Sequence, residues 1–494
     1  MTNSTPPHPL LVQLFREALT SQLHGDKSLA LVGYKRIQAR FPEFVDAWAN
    51  GSTILWEMGR HAEALGMALR AVELGPENPE ALCALANAQQ SLGDIGDAEV
   101  NFQKAIQRDP AHVSALTNLA GIYNRNGNFA AALSLDDKAI EVQPSRSELW
   151  GNRGHTKMRA LDLAGAETDL RRALELNENN ALVRWNLAYI QLLQRRYKEA
   201  WPNFGARREL GEWSGNIKDF GRPHWRGELL GGRTLLIYSE QGFGDTIQFA
   251  RFVPKIKDFG GQAILRVPRP LFRLLSYCQG IECLLEEGAP LPEYDFVVPL
   301  MDLPSILDLG EGDFAPLPPP CLPQGPKIPE IDGPESTHKL KVGLAWAGSP
   351  IHSNDKLRSM DARLLDELAD IQVTSKEITW YGLQKPPSSS PPALPDFTDL
   401  SPHMGDFLDT AQILKKLDLV VAVDTSVAHL AGLLGRPCVV LLAFMPDWRW
   451  GLGDSTTPWY PSLELVRQPS HGDWKGAIAT LKEKIACMAA FKRP

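Results

Sequence analysis

Small and apolar positions in the first two-fifths of the chain recur with a single period. Alanines stand at Ala30, Ala64, Ala98, Ala132, Ala166 and Ala200, and a second column runs Ala71, Ala105, Ala139 and Ala173, each step being 34 residues. Glycines at Gly25, Gly59, Gly93 and Gly127 and prolines at Pro42, Pro76, Pro110 and Pro144 keep the same step. Each unit therefore predicts a helical hairpin: the glycine in its turn, the alanines where the two helices approach, the proline closing the second helix. Beyond Trp225 the pattern changes to short apolar runs separated by glycine-bearing loops. Arg233 to Tyr238, Gln262 to Val267, Lys341 to Trp346, Glu377 to Leu383, Leu419 to Val423 and Cys438 to Leu442 read as buried strands. Helices are expected between them at Ile247 to Phe259, Pro270 to Gln279, Asp361 to Asp370, Phe407 to Lys416 and Val427 to Leu434, with a closing helix from about Trp474 to Phe491.

A 34-residue period with small residues at fixed places and a closing proline is the tetratricopeptide repeat signature. About six units are expected between Leu11 and Gly211, the last two degenerate and capping the stack. Asn50, Asn118, Asn152 and Asn186 hold one position in the first helix of their units, with Ala84 breaking the series. First helices line the inner wall of such a stack, so these carboxamides are candidates for hydrogen-bonding the backbone of an extended acceptor peptide. The competing reading is that each bonds only to a neighbouring repeat.

The predicted organisation is an α-solenoid followed by α/β: a repeat array over 1–212, a joint over 213–232, a Rossmann-like lobe over 233–313, a proline-rich linker over 314–338, a second Rossmann-like lobe over 339–475 and a helix over 476–494. Two such lobes joined by a linker suggest a GT-B sugar transferase with its cleft between them. Composition narrows the function further. The net charge of −8 argues against a nucleic-acid partner. No apolar run reaches the ~18 residues of a membrane helix, and Met1 to Pro9 lacks the basic start of a secretory signal. The six cysteines are scattered with no C-x-x-C pair, so reduced thiols, a cytoplasmic location and no structural zinc are expected.

The chemistry is expected at the strand ends. Asp424, Thr425 and Ser426 follow the strand Leu419 to Val423 and are good N-caps for the helix after it. Ligands of open α/β sheets bind there, and a helix N-terminus offers free N–H groups to a phosphate. His429, four residues after Thr425, shares its face. Transfer from a nucleotide sugar must offset charge on the departing diphosphate and remove the acceptor proton. The chain has no Asp-x-Asp pair, so no metal cofactor is expected. A helix terminus supplies ~0.3–2 kcal/mol and each charge-assisted hydrogen bond ~1.5–3 kcal/mol. Lys356, with Arg358 and Ser349 on the loop after the strand Lys341 to Trp346, is thus the leading donor-phosphate candidate. Gly244 and Asp245 open the first lobe's first helix, with Asp245 as candidate base. Glu240, on the same loop, is its rival, and a plain first-turn helix acid is the competing reading of Asp245.

These residues resemble a known family. Gly244-Asp245, Asp355-Lys356 and Asp424-Thr425-x-x-x-His429 are similar, in order, to three motifs of the ADP-heptose heptosyltransferases, glycosyltransferase family 9. The strings from Ser239 to Ala250, Val342 to Gly348, Val423 to Ala431 and Pro446 to Trp450 look closer still to bacterial tetratricopeptide proteins with a family-9-like C-terminal domain. The resemblance implies an inverting transfer from a nucleotide-diphosphate sugar, with Asp245 as base and Lys356 on the donor phosphates. It implies that Asp424, Thr425 and His429 hold the donor sugar and diphosphate, and makes Gln384 and the Trp448-Arg449-Trp450 cluster nucleotide contacts. The asparagine column is similar to one in the array-bearing transferases that put N-acetylglucosamine on Ser and Thr, which implies a protein acceptor recruited by the array. The heptosyltransferases carry no such array, so their lipid acceptor and heptose donor are not carried over. A glycan or lipid-linked acceptor, and a scaffold whose nucleotide-sugar-binding domain is inactive, are the alternatives.

Overall fold

Each 34-residue step folds as two helices. The computed structural model describes residues 8–210, 220–333, 339–351, 355–371, 378–385 and 390–491. Six hairpins follow in order: α1 (Pro9–Leu23) with α2 (Lys27–Arg40), α3 (Val45–Glu57) with α4 (His61–Leu74), α5 (Pro79–Leu92) with α6 (Ile95–Arg108), α7 (Val113–Arg125) with α8 (Phe129–Val142), α9 (Ser147–Arg159) with α10 (Leu163–Leu176), and α11 (Ala181–Leu193) with α12 (Tyr197–Phe204). The alanine columns are the reason the helices close up: Ala30, Ala64, Ala98, Ala132, Ala166 and Ala200 are all fully buried. The turn glycines take φ of 81°, 75°, 96° and 78° at Gly25, Gly59, Gly93 and Gly127. The same left-handed turn recurs at Leu161 (φ 64°) and Arg195 (φ 61°), where the sequence drops glycine but the hairpin geometry does not change. Asp26, Asn78, Asn128 and Asp162 cap second or first helices by accepting the N–H three residues on.

The chain divides into two units, one ending at Val183 and the other beginning at Arg184, rather than near 212. The sixth hairpin goes with the α/β half because its aromatics are built into that half's core. Tyr189 donates to the Pro446 carbonyl at 3.0 Å and Trp201 Nε1 to the Leu309 carbonyl at 2.7 Å. Tyr197 meets Phe314 edge-on at 4.6 Å, and Phe314 stacks on Trp459 at 4.0 Å.

Among the described residues ten strands make two parallel sheets in the second unit. β1 (Thr234–Tyr238), β2 (Gln262–Val267), β3 (Cys283–Glu286) and β4 (Phe296–Pro299) lie in the order β3-β2-β1-β4. β5 (Leu340–Ala345), β6 (Ile378–Gly382), β7 (Phe397–Asp399), β8 (Leu419–Val423), β9 (Cys438–Leu442) and β10 (Leu463–Arg467) lie in the order β10-β9-β8-β5-β6-β7. Every residue of β8 and β9 is buried, as the valine-rich runs require of strands covered on both faces. In the larger sheet the chain builds outward from β5 to β7, then returns to β8 and builds the other way. The carboxyl ends of β5 and β8 therefore flank the switch point where such sheets leave a crevice. The smaller sheet reverses likewise at β1 and β4.

Among the described residues the longer helices of this half are α13 (Phe243–Phe249), α14 (Arg269–Leu275), α15 (Phe407–Leu414), α16 (Ser426–Leu433) and α17 (Trp474–Phe491), with single helical turns at Leu303–Ile306, Pro329–Asp332 and Asp355–Arg358. The helix expected from Ile247 to Phe259 is instead the end of α13 followed by a 3-10 run, Ala250–Phe259, because Pro254 has no N–H to continue an α-helix. The expected helix Asp361 to Asp370 is also a 3-10 run, Ala362–Asp370. Parts of the expected joint (213–219) and linker (334–338) lie outside the described residues.

Candidate active site

Three loops far apart in sequence meet at the strand ends. The first follows β8. Thr425 holds the N-cap of α16 in an extended conformation but makes no side-chain cap bond, and its Oγ1 is buried with no partner. Asp424 and Ser426 beside it are half-buried. Burial, with Asp447 next to it, pushes the Asp424 carboxyl up to about 6, against the pull of Arg358. His429, one turn into α16, is buried and lies 3.1 Å from the Tyr460 hydroxyl through Nδ1. Burial and the cations Arg449, Arg251 and Arg358 drive its basicity well below the ordinary imidazole value, so the ring is neutral.

The second loop follows β1. Gly244 lies flat against His429: a Cβ there would stand 2.6 Å from His429 Cδ2. Asp245, in the first turn of α13, accepts the Gly242 N–H at 2.9 Å and forms an ion pair with Arg449. Arg449 is the hub of the site. Its guanidinium also reaches Gln248 at 2.6 Å and Asp447 at 2.8 Å and covers the Trp448 ring at 4.6 Å. Burial disfavours that charge, but Asp447, Asp245 and Asp424 outweigh it and hold Arg449 protonated. Nearby, Arg251 is buried with no carboxylate partner among the described residues; it donates to the carbonyls of Trp459 (2.7 Å) and Phe314 and faces the Tyr460 ring.

The third loop follows β5. Arg358 lies 3.5 Å from Asp355 and folds over Gly348, where a Cβ would meet its Nη2 at 2.7 Å. Its charge acts on both Asp424 and His429. Lys356 and Ser349 are exposed on this loop.

Three of the expected site residues are spent elsewhere. Gln384 is buried, and its carboxamide accepts from the N–H groups of Trp346 (3.2 Å) and Ala347 (2.9 Å) while donating to the Ala347 carbonyl (3.1 Å). These bonds fix the loop after β5. Trp448 is 2% exposed, packed among Phe204, Phe249 and Trp459, so its faces are taken. Glu240 is buried in an ion pair with the fully buried Arg207 (2.6 Å), which also holds Asp302 (2.7 Å). Burial raises the Glu240 carboxyl above its ordinary value, yet its Oε1 is committed to that guanidinium. Of the residues the sequence did not single out, Arg449, Arg251, Asp447 and Tyr460 matter most. Arg449 and Asp447 did stand in the string Pro446 to Trp450 noted for its resemblance, Arg449 as part of the expected nucleotide-contact cluster, whereas Arg251 and Tyr460 carried no signal.

In the first unit, Asn118 donates to Asn87 at 2.7 Å, Asn50 is half-buried and Asn152 is exposed. Asn186 is buried in the second unit. Among the described residues no group of three or more His, Cys, Asp or Glu is arranged to hold a metal ion, and no helix is long and apolar enough to cross a membrane.

Comparison with known proteins agrees with the first half. Residues 83–147 and 152–203 match the tetratricopeptide repeat family model. The N-terminal region is a tetratricopeptide repeat array. Protein FlbA of Caulobacter vibrioides is 23% identical over 95% of this chain and 83% of its own length. The human protein O-mannosyl-transferase TMTC1 is 26% identical over 36% of this chain and 20% of its own, a span no longer than the array. A crystal structure of MamA protein is 20% identical, covering 35% of this chain and 93% of that one at a TM-score of 0.28.

Proposed function

We propose that the second unit is a GT-B glycosyltransferase that takes a sugar from a nucleotide-diphosphate donor without a metal, and that the array recruits a polypeptide acceptor. The observation that carries this reading is the meeting of Gly244 with His429 and of Asp245 with Arg449, which brings the loop after β1 against the loops after β8 and β9. In this reading the unbonded Thr425 hydroxyl, the N–H groups opening α16, Arg358 and Lys356 receive the diphosphate. Asp424, Ser426, the neutral His429 and Ser349 face the donor sugar, while Gln384 and Trp448 support their loops from behind. Asp245 serves as the base once it leaves Arg449, and the anionic donor is the competitor that draws Arg449 away. TMTC1, similar to 36% of this chain, is by its name a protein O-mannosyl-transferase, which supports transfer to protein but not the fold of this catalytic half. The six free cysteines fit a cytoplasmic, reducing setting.

The pairing of Asp245 with Arg449 also favours a second reading, a scaffold that senses a nucleotide sugar without turning it over. Incubation with a panel of UDP-, GDP-, ADP- and dTDP-sugars separates the two. Release of nucleoside diphosphate that Asp245→Asn and Lys356→Ala each reduce by roughly a hundredfold or more supports transfer. Saturable binding with no release from any donor supports the sensor. Intact-mass analysis of co-purified partners shows whether a protein, rather than a glycan or lipid carrier, accepts the sugar.

A further inference from the structure

Among the described residues no acid forms an ion pair with two arginines of the array. Arg125 and Arg159 end α7 and α9 and hold the same place in successive hairpins, 34 residues apart. Arg125 is exposed, and its Nη1 lies over Gly121, 3.7 Å from where a Cβ would stand. Arg159 reaches back to the preceding hairpin and donates to Asn124 Oδ1 at 2.8 Å. Asn124 in turn donates to Thr156 Oγ1 (2.9 Å), which donates to Asp136 Oδ2 (2.8 Å). That acid ends the chain of bonds: burial pushes Asp136 up to about 7, and it contributes nothing to the shift of either arginine. Burial lowers both arginines from their ordinary values, and the charge of Arg125 adds to the shift of Arg159. His155, between Asn152 and Arg159, is pushed down to about 4 by burial and stays neutral.

A cation in the last turn of a helix favours the macrodipole, which accounts for arginine as a residue type here. It does not account for where the guanidiniums go. Arg159 bonds across to the neighbouring hairpin and Arg125 lies back over Gly121, neither serving the carbonyls of its own terminus. Several other arginines of the array are paired with acids: Arg60 with Glu63, Arg70 with Glu73 and Arg153 with Asp137 and Asp169. The candidate peptide-binding carboxamides Asn118 and Asn152 stand on the same two helices, α7 and α9.

We infer that Arg125 and Arg159 make this part of the array a docking surface for an acidic polypeptide segment, whose Asp or Glu side chains complete the two arginines while Asn118 and Asn152 take its backbone. On a chain of net charge −8 this spot selects acidic segments against the prevailing sign. The inference rests on the proposal that the array recruits a polypeptide, and adds the chemistry of that polypeptide.

Fluorescence anisotropy of the full chain, titrated against a labelled peptide of Glu-Gly-Ser repeats and its Gln-Gly-Ser counterpart, tests it. The acidic probe should bind roughly tenfold or more tightly than the neutral one, with the preference shrinking as salt rises. Arg125→Gln with Arg159→Gln should bring the acidic probe down to the neutral level. Arg171→Gln, which removes an exposed arginine already paired with Glu167 at 2.6 Å, should leave the preference intact. If both probes bind equally well, the acidic inference falls while recruitment stands. If the double variant keeps the preference, the arginines are not its source and the inference falls. If neither probe binds, it falls together with recruitment.

Discussion

Burial and the neighbouring Asp447 push Asp424 up to about 6 from an ordinary 3.8, and the sign of that shift makes a testable statement about stability. An acid raised in the folded state binds more protons there than in the unfolded chain across the interval between the two values. Its contribution to stability is therefore whole below 3.8 and lost as pH rises through about 6. Asp424→Asn should melt at a higher temperature than the parent near pH 8 and at the same temperature near pH 3.5. A melting difference that does not change between these pH values would remove Asp424 as a strained charge. The same variant should lose donor binding, a gain in stability set against function. The residue scale is also where sequence reading was weakest. A strand, three N-cap residues and a histidine one turn on were visible because they are local. Arg449 was not assigned its role because its ion pair joins positions 204 apart. Gln384 and Trp448 were found at the right strand ends, but nothing in a sequence says whether a carboxamide is already bonded to its own loop or an indole already covered.

At the scale of elements the columns of the array are the most legible feature, since each hairpin repeats one set of close contacts. Where the residue type lapses the geometry persists, and the cost is calculable. Leu161 sits at φ 64° in a turn that four earlier hairpins give to glycine. A side chain there costs ~1–2 kcal/mol, part of which glycine returns in unfolded-state entropy. Leu161→Gly should raise the melting temperature of the chain by an amount worth about 0.5–1 kcal/mol, and an unchanged or lower value would mean that Leu161 contributes packing that outweighs its backbone strain. Gly244→Ala works in the opposite sense. Its methyl would press within 2.6 Å of a buried ring carbon of His429, so the two loops must part. The expected cost is about 1–3 kcal/mol, read by chemical denaturation, with nucleotide-sugar affinity falling as well. Boundaries were less legible than elements: Pro254 turned an expected helix into a 3-10 run, and the periodicity before it gave no sign.

For the whole molecule, the period of the array runs on to Ala200, yet the sixth hairpin is energetically part of the α/β half. A pattern in the sequence records which residues share a local geometry, and it is silent on which body a hairpin packs into. This has a consequence for cutting the chain. A fragment of residues 184–494 keeps the Tyr189 bond to Pro446, the Trp201 bond to Leu309, and the Tyr197, Trp201 and Phe204 rings among Phe314, Trp448 and Trp459. A fragment beginning at 213, the boundary the repeat period suggests, loses all of these and Arg207. Without Arg207 and Arg208, Glu240 is a buried acid stripped of its ion-pair partner and Asp302 loses both of its own. Breaking one buried pair costs about 3–5 kcal/mol, against a typical domain stability of about 5–15 kcal/mol before the lost aromatic burial is counted. The longer fragment should therefore show a cooperative thermal transition and near-UV circular dichroism, and the shorter one neither. Equal cooperativity in both would mean that the aromatic joint covers the α/β half without holding it together, and the boundary would return to where the repeats end.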